Sequence, residues 1–466
     1  MPLGYAIVVD IGKTMSKVSL WSREGKMLDR ATRLNETMRQ DGLLRLDADG
    51  IGEWLVDALA AWSGEPVEYA VPVAHGAGVA ALDGDSLAFA PLDYEQELPA
   101  PSLKAYRQRR DAFVRSGSPA LPAGLNIGAQ LHWLEQLYPA RFAEATLLPW
   151  AQYWAWFLSG KAVSEVTSLG CHSDLWLPQD HTFSDLARDA GWARKFAPLA
   201  RAGKQIGTLR PEISAATGLP ADCRVLAGLH DSNAALLAAR GYPEIAKREA
   251  TILSTGTWFI AMRLPVEPVD IAVLPEGRDC LVNVDPQGRP VPSARFMGGR
   301  EIETLIEFDT HQVDIRPDQP NLLAAVSKVV AAGSMVLPTF APGSGPFPNH
   351  KGRWIARPED RFARRAAACL YAALIAERAL ALIDAKGLLL VEGRFAEAEV
   401  FVRALASLRP DIRVYTADAH NDVSFGALRL VEPNLKCESA LHPVEPLPVD
   451  LASYREAWLA AVKVPA

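Results

Sequence analysis

Gly228-Leu229-His230-Asp231-Ser232-Asn233-Ala234-Ala235 is the stretch that decides how this chain reads. It follows the apolar run Val225-Leu226-Ala227, so a carboxylate stands where a short strand gives way to a helix of small residues. The ordinary explanation of Asp231 is a helix N-terminal carboxylate stabilised by the helix dipole. The chemical one is a general base that takes the proton of an attacking hydroxyl. In phosphoryl transfer that proton leaves late, so positioning matters more than base strength.

Two other stretches favour the chemical explanation. The apolar run Ala6-Ile7-Val8-Val9 ends in Asp10, followed by Gly12-Lys13-Thr14 and then Lys17. Phosphate binding needs backbone N–H groups aimed at one spot, and glycine lets the chain come close. Thr14 adds a hydroxyl, and Lys13 or Lys17 adds positive charge. Asp10 suits Mg²⁺, held through water because that ion dehydrates reluctantly. A plain hairpin turn explains this loop too, but a carboxylate closing a buried strand needs a partner. The second stretch, Leu253-Ser254-Thr255-Gly256-Thr257-Trp258, is equally well a tight hairpin or a phosphate-wrapping turn. Two such loops in company with Asp231 point to phosphoryl transfer.

Size and composition agree. The chain has 466 residues, too many for one ordinary core, and two domains are expected. Half of it is apolar, as in globular proteins, and the net charge of -7 argues against nucleic acid or an anionic membrane as partner. Cys171, Cys223, Cys280, Cys369 and Cys437 are scattered, without zinc spacing or a disulfide framework. The first strand begins within five residues and leaves no stretch to read as a signal peptide. The apolar stretch from Ala366 to Leu382 contains Glu377 and Arg378, which makes it a core helix rather than a span. A cytoplasmic protein is expected.

Tyr5–Asp10, Lys17–Trp21 and Lys26–Thr32 read as a β-meander, Ile51–Trp62 as a helix and Tyr69–Ala74 as a strand ending at His75-Gly76. Residues 93–125, rich in Pro, Arg and Gln, read as irregular. Gln130–Tyr138 and Pro149–Leu158 are short aromatic helices. In the second of these, Trp150 and Gln152 suit a sugar, whose apolar faces take rings and whose hydroxyls take amides. Strands at Ala250–Ser254 and Trp258–Arg263 restart the pattern after a break near residues 240–249. A long helix (Phe362–Lys386), a strand (Leu388–Val391), a helix (Glu397–Leu408), a strand (Ile412–Thr416) and a helix from Asp422 follow. The Pro-rich tail after residue 437 reads as wrapping the surface. His75, His172 and His230 lack metal spacing and read as hydrogen-bonding groups.

In that order, these residues resemble the FGGY carbohydrate kinases. Asp10 to Lys17 is similar to the family's first phosphate motif, with Lys13 in place of a small hydroxyl residue. Val73-Ala74-His75-Gly76 is similar to a sugar-contacting strand, and the segment from Leu148 to Gly160 to the family's P-D-x-L…L-T-G stretch. Leu226 to Asp231 looks like the G-x-H-D segment with the catalytic base. Leu253–Thr257 looks like the second phosphate motif, Gly298-Gly299-Arg300 like a paired-small helix start, and Asp422 to Leu428 like the E-x-x-x-G-A-A helix.

The resemblance implies an α/β fold of two ribonuclease-H-like (actin-like ATPase) domains with mixed sheets and an interdomain cleft that closes by hinge motion. The domains would be 1–240 (sugar and base) and 249–440 (nucleotide), with a tail at 441–466. It further implies ATP and Mg²⁺, a sugar substrate of ketose or deoxyketose type near the fuculose and rhamnulose branch, and a homodimer. Asp231 is the expected base and Asp10 the metal ligand. Gly12, Lys13, Thr14, Lys17, Thr255, Gly256, Thr257, Gly298, Gly393 and Arg394 are expected at the nucleotide, and His75, Gly76, Trp150, Gln152, His172 and His230 at the sugar.

Two departures stand out. Val391-Glu392-Gly393-Arg394-Phe395-Ala396-Glu397 has one glycine where the family's adenine loop has two or three, so Arg394 and Phe395 are expected to stack on or crowd a base. Phe340 to Pro346 replaces the usual G-E-R-x-P loop. They motivate an alternative, a sugar-binding or regulatory protein that has lost its nucleotide. An actin-like ATPase with a protein partner is a third reading, and His75 and Gln152 speak against it.

Overall fold

The structure, a computed structural model, describes residues 4–307, 313–417 and 422–463; the end of the predicted tail lies outside that set. The chain divides into two compact units, one of Met1–Gly241 with Val282–Pro290 and Asn421–Cys437, the other of Tyr242–Leu281 with Val291–His420 and Glu438–Ala466.

In the first unit, Tyr5–Ile11, Met15–Trp21 and Met27–Leu34 form an antiparallel meander. Val67–Ala74 lies parallel to the first strand, Arg224–Leu226 parallel beyond it, and Gln205–Thr208 antiparallel at the edge. Leu229–His230 runs parallel beside the same central strand, with His230 opposite Ala74, and Ala74 is opposite Ile11. Asp10, His75 and Asp231 are thereby brought to one carboxyl edge of parallel strands, where α/β sheets bind ligands.

The first strand, Tyr5–Ile11, alternates between two cores, as the period of two requires. Ile7, Val9 and Ile11 pack with Ile51, Leu55 and Trp154. Ala6 and Val8 pack with Val71, Val73, Ala234 and Ala427. The helix Ala48–Ala60 buries Ile51, Leu55 and Leu59 at four-residue spacing and is capped by Asp47, which accepts from Gly50 N–H. On the opposite face, Asp231–Ala239 crosses Val423–Leu428. A Cβ at Gly426 would lie 1.7 Å from Ala234 O, so only a glycine permits that approach.

The second unit repeats the order. Ala250–Thr255, Phe259–Leu264 and Pro290–Phe296 form the meander. Leu388–Gly393 and Arg413–Ala417 follow in parallel, and Leu441–Pro443 is the antiparallel edge. Arg361–Leu382 is a buried helix, and among the described residues no helix is long and apolar enough to cross a membrane.

Two segments differ from their sequence reading. Residues 93–125 contain the helices Ala100–Arg107 and Phe113–Ser116, with Tyr106 and Phe113 buried. Their polar look is misleading because the arginines are paired within the unit: Arg110 with Asp174, Arg115 with Asp111 and Asp185. The tail does more than wrap the surface. Leu451–Lys463 is a helix whose Leu451, Tyr454, Trp458 and Val462 are buried, and Trp458 Nε1 donates to Val336 O at 2.6 Å.

Candidate functional site

Asp231 is the first residue of its helix, and its side chain is 29% exposed. Among the described residues its partners all fall on Oδ1, which accepts from Ser232 N–H at 2.5 Å and from Ser232 Oγ at 3.3 Å, with His230 Nε2 3.2 Å away. Asn233 Nδ2 lies 3.4 Å from His230 Nδ1 and donates to it, which leaves the ring proton on Nε2, facing Asp231. Burial holds His230 below the usual imidazole range, partly countered by Asp231. Oδ2 takes no hydrogen bond among the described residues. One oxygen is fixed and the other is open to a ligand proton.

The loop behind Asp231 rests on buried polar groups. Gln152 is fully buried and donates to Ala227 O and Gly228 O at 3.1 and 3.2 Å. It was expected at the sugar, but its amide N–H is spent on the backbone that aims Asp231. His230 N–H donates to Thr167 Oγ1 at 3.0 Å. Thr167 Oγ1 in turn donates to Glu165 at 2.5 Å. Glu165 is fully buried, with Oε1 unpartnered, and burial pushes its carboxyl up to about 8 despite the hydrogen bonds of Thr167 and Ser168.

Asp10 is 4% exposed. Burial raises its carboxyl to about 7; Lys17 lowers it, and the charges of Asp231 and Asp422 raise it again. Lys17 Nζ is 3.6 Å from Asp10 Oδ2. Asp422 is paired with Arg30, an arrangement between distant residues that the sequence did not announce. Among the described residues no cluster of three or more His, Cys, Asp or Glu could hold a metal ion. Mg²⁺ takes one or two carboxylates and completes its shell with water and phosphate, a demand that Asp10 could meet. A divalent cation would also relieve the like charges around Asp10.

The Gly12–Thr14 turn is tight: Gly12 N–H donates to Met15 O at 3.1 Å, and Asn35 donates its side-chain N–H to Gly12 O at 2.8 Å. Thr14 is exposed at its tip. Lys13 differs from the expectation of a phosphate cation. Its ammonium is bonded to Asp93, a fully buried carboxylate, lies 3.6 Å from Glu95 and sits 5.1 Å from the Tyr94 ring centre. Tyr94 packs edge-on against His75 with ring centres 5.6 Å apart, and the Trp150 ring centre lies 6.3 Å from that of His75. Burial first, then Glu95, Asp93 and Asp231, push the Tyr94 hydroxyl up to about 12, so it stays a donor.

His75 Nδ1–H donates to Gly76 O at 2.6 Å. Burial holds its ring neutral, so Nε2 is an acceptor. Gly76 is packed between Cys171 and the His230 ring; a Cβ there would lie 2.8 Å from Cys171 Sγ. His172, next in the chain, donates from Nδ1 to Leu125 O at 3.0 Å. Trp150 is 1% exposed and stacks on Tyr153, which makes it first a wall of the core.

The second unit is built differently. Thr255 Oγ1 donates to Glu392 O at 2.6 Å and accepts from Phe395 N–H at 3.1 Å. Its hydroxyl therefore ties two strand ends together rather than standing free for phosphate. A Cβ at Gly393 would lie 2.1 Å from Thr255 O, and Gly393 has φ 82°, so this strand end must be bare. Gly256 and the exposed Thr257 form the turn, and Gly299 N–H donates to Thr257 O at 3.2 Å. Gly298 begins the helix Gly298–Ile306, as the paired-glycine reading required. Its first N–H groups lack intrahelical partners.

Phe395 overturns one expectation. It is fully buried, its ring centre 4.9 Å from that of Phe259, which itself packs against Phe296 and Phe401, so it is turned into the core rather than toward a nucleotide. The 3-10 turn Arg394–Glu397 directs it inward. Arg394 lies 3.4 Å from Asp314 and 5.3 Å from the Phe395 ring centre.

The structure thus groups the expected residues in two sets, one per unit. Sequence reading missed Asp93, Tyr94, Glu165 and Thr167. Only Glu165 left a local trace, as a carboxylate directly before the short helix Val166–Leu169.

Comparison with known proteins names the class. Residues 102–238 match the N-terminal domain model of the FGGY family of carbohydrate kinases, and residues 247–439 match the carbohydrate kinase FGGY C-terminal domain. A carbohydrate kinase from Novosphingobium aromaticivorans has 64% sequence identity over 99% of both chains, with a TM-score of 0.97. This chain belongs to the FGGY family of carbohydrate kinases. L-fuculokinase of Escherichia coli (strain K12) is 26% identical over 305 residues, 60% of this chain and 61% of that enzyme. The match thus spans about three fifths of that enzyme's length. A xylulose kinase from Rhodospirillum rubrum shares the fold, with a TM-score of 0.80 at 16% identity, covering 98% of this chain and 97% of that one.

Proposed function

We propose that this protein transfers the γ-phosphoryl group of ATP to a hydroxyl of a sugar, a ketose or deoxyketose. The observation that carries the proposal is the Asp231 carboxylate, with Oδ1 held by Ser232 and His230 and Oδ2 open. Oδ2 accepts the proton as the sugar oxygen attacks, and the fixed Oδ1 keeps the carboxylate aimed. His75 Nε2 accepts from a substrate hydroxyl, and the Tyr94 hydroxyl donates to another. Asp10, assisted by Lys17, is the side chain that would hold Mg²⁺, which supplies charge neutralisation of the phosphates when bound. The backbone N–H groups of Lys13 and Thr14, of Thr257 and of Gly298 are the donors for phosphate oxygens. The L-fuculokinase relatives support the deoxyketose branch.

The test is an ADP-release assay with MgATP over a panel of ketoses, deoxyketoses and polyols, with Asp231→Ala alongside. Turnover on one sugar, lost in the variant, is expected. Silence across the panel, together with no calorimetric binding of a MgATP analogue, would favour the alternative of a sugar-binding protein on this fold.

A further inference from the structure

The first unit holds a cavity of roughly 530 Å³ away from the residues assigned above, lined among others by Arg201, Lys204, Leu237, Gln287, Arg429 and Leu430. Its lining contains three cations and no carboxylate. This is unusual for the chain, whose net charge is -7 and whose other arginines are largely paired. Arg201 and Lys204 are exposed, and among the described residues their side chains take neither an ion pair nor a hydrogen bond. Arg429 is half-buried, and its Nε is shielded from water without a hydrogen-bond partner. Burial lowers its affinity for its proton, so the fold bears a cost at this position. Its place at the end of the helix Val423–Leu428 suits the helix dipole, but that leaves the missing acceptor for Nε unexplained.

The walls are mixed. Leu237, Leu430, Pro286 and Pro433 offer apolar surface beside the cations. A bare inorganic anion has no use for such walls, whereas a small organic phosphate fills both parts. Arginine supplies paired donors suited to phosphate oxygens.

The cavity is wired to the Asp231 loop. Ala227 N–H donates to Lys204 O at 2.9 Å and Gly228 N–H to Ala202 O at 3.0 Å. Gln152 holds the carbonyls of the same two residues. Leu237 belongs to the helix that Asp231 begins, and Arg429 closes the helix that Asp422 caps.

We propose that Arg201, Lys204 and Arg429 form a second, regulatory site for a small organic phosphate, whose occupancy shifts the backbone that positions Asp231. The binding half of this proposal stands without the kinase reading; the effect on turnover rests on it.

The experiment is calorimetric titration of the full chain with a pentulose 5-phosphate and, separately, with inorganic phosphate, in wild type, Arg429→Gln and the double variant Arg201→Gln/Lys204→Gln. The double variant changes only exposed, unpartnered side chains and should melt like wild type, so it serves even if Arg429→Gln folds poorly. The expected result is an ester affinity that falls at least about tenfold in the double variant, the loss of one or two charge-assisted hydrogen bonds. The ester should also alter turnover in wild type and not in the double variant. Ester binding unchanged in the double variant would place the ester at the sugar site and overturn the proposal. No binding at all would overturn it as well, and inorganic phosphate binding as tightly as the ester would remove the organic class. Absent turnover with intact, variant-sensitive binding would sink the kinase reading and leave this site standing.

Discussion

The two units repeat one sheet order but fill their strand ends differently. In the first, the ends carry Asp10, His75 and Asp231, ionisable side chains supported by a second layer of buried polar groups: Asp93, Gln152, Glu165 and Thr167. In the second, the matching ends carry Thr255-Gly256 and Gly393, and Thr255 is already spent on the backbone. The fold offers the same places twice; one set presents functional groups and the other presents bare peptide. A site of functional groups fails when an atom changes charge or proton affinity. A site of bare peptide fails when a Cβ is added. The two kinds of damage should separate cleanly in kinetics.

The largest effect is expected at Asp231. Asp231→Asn preserves shape and removes the proton acceptor, so turnover should fall by roughly 10²–10⁴. Sugar affinity, measured by calorimetry, should stay nearly unchanged, because an amide keeps an oxygen in the place of one carboxylate oxygen. Wild-type turnover in the variant would strip Asp231 of its role and with it the contrast between the units.

Next comes Gly299 in the second unit. A Cβ there would lie 2.2 Å from Gly256 O and 3.0 Å from Thr257 Cα, both backbone, so the turn must move. Gly299→Val is expected to weaken ADP binding at least about tenfold, a loss of roughly 1.4 kcal/mol or more, with sugar affinity intact. Equal loss of both ligands would mean that the substitution unfolds more than the turn, a point that a thermal melt decides.

These predictions differ in how visible their basis was in the sequence. The strand ends, the meanders and the helix starts at Asp231 and Gly298 follow from apolar periodicity and small residues, which are local signals. So does the tail helix, whose Leu451, Tyr454, Trp458 and Val462 share one face, although its prolines hid it. The supporting layer was not legible because its partners are far apart in the chain. Lys13 meets Asp93 across 80 positions, and that contact turns an apparent phosphate cation into the counter-ion of a buried carboxylate. Gln152 looked like a sugar amide for the same reason; its acceptors, Ala227 and Gly228, lie 75 and 76 positions away. Phe395 was misread because a single glycine loop says nothing about which way the next side chain turns.

The buried layer also predicts a pH signature for the first unit. The Glu165 carboxyl, raised to about 8, is protonated in the folded state at neutral pH and ionised in the unfolded chain above its ordinary value. The folded state therefore binds the extra proton between those two values. Stability is greatest below the unfolded value and declines as pH rises through the folded one, by at most about 1.4 kcal/mol per pH unit for this group. Glu165→Gln keeps an acceptor for Thr167 and cannot ionise. Its melting temperature should gain on wild type as pH rises from 5 to about 8, and parallel curves would show that Glu165 is ionised in the fold.

The smallest effect is expected at Arg394, a charged side chain that directly follows the strand Leu388–Gly393 of the second unit. Its guanidinium lies near Asp314 and over the Phe395 ring, with the side chain 33% exposed. A partly exposed pair of this kind contributes about 1 kcal/mol at most. If the second unit binds through peptide groups, Arg394→Ala should raise the KM for ATP less than about threefold, within that same limit, and leave kcat unmoved. A rise of tenfold or more would mean that Arg394 leaves Asp314 to stack on the base. The second unit would then use a side chain after all, and the contrast would narrow to the phosphate-binding turn.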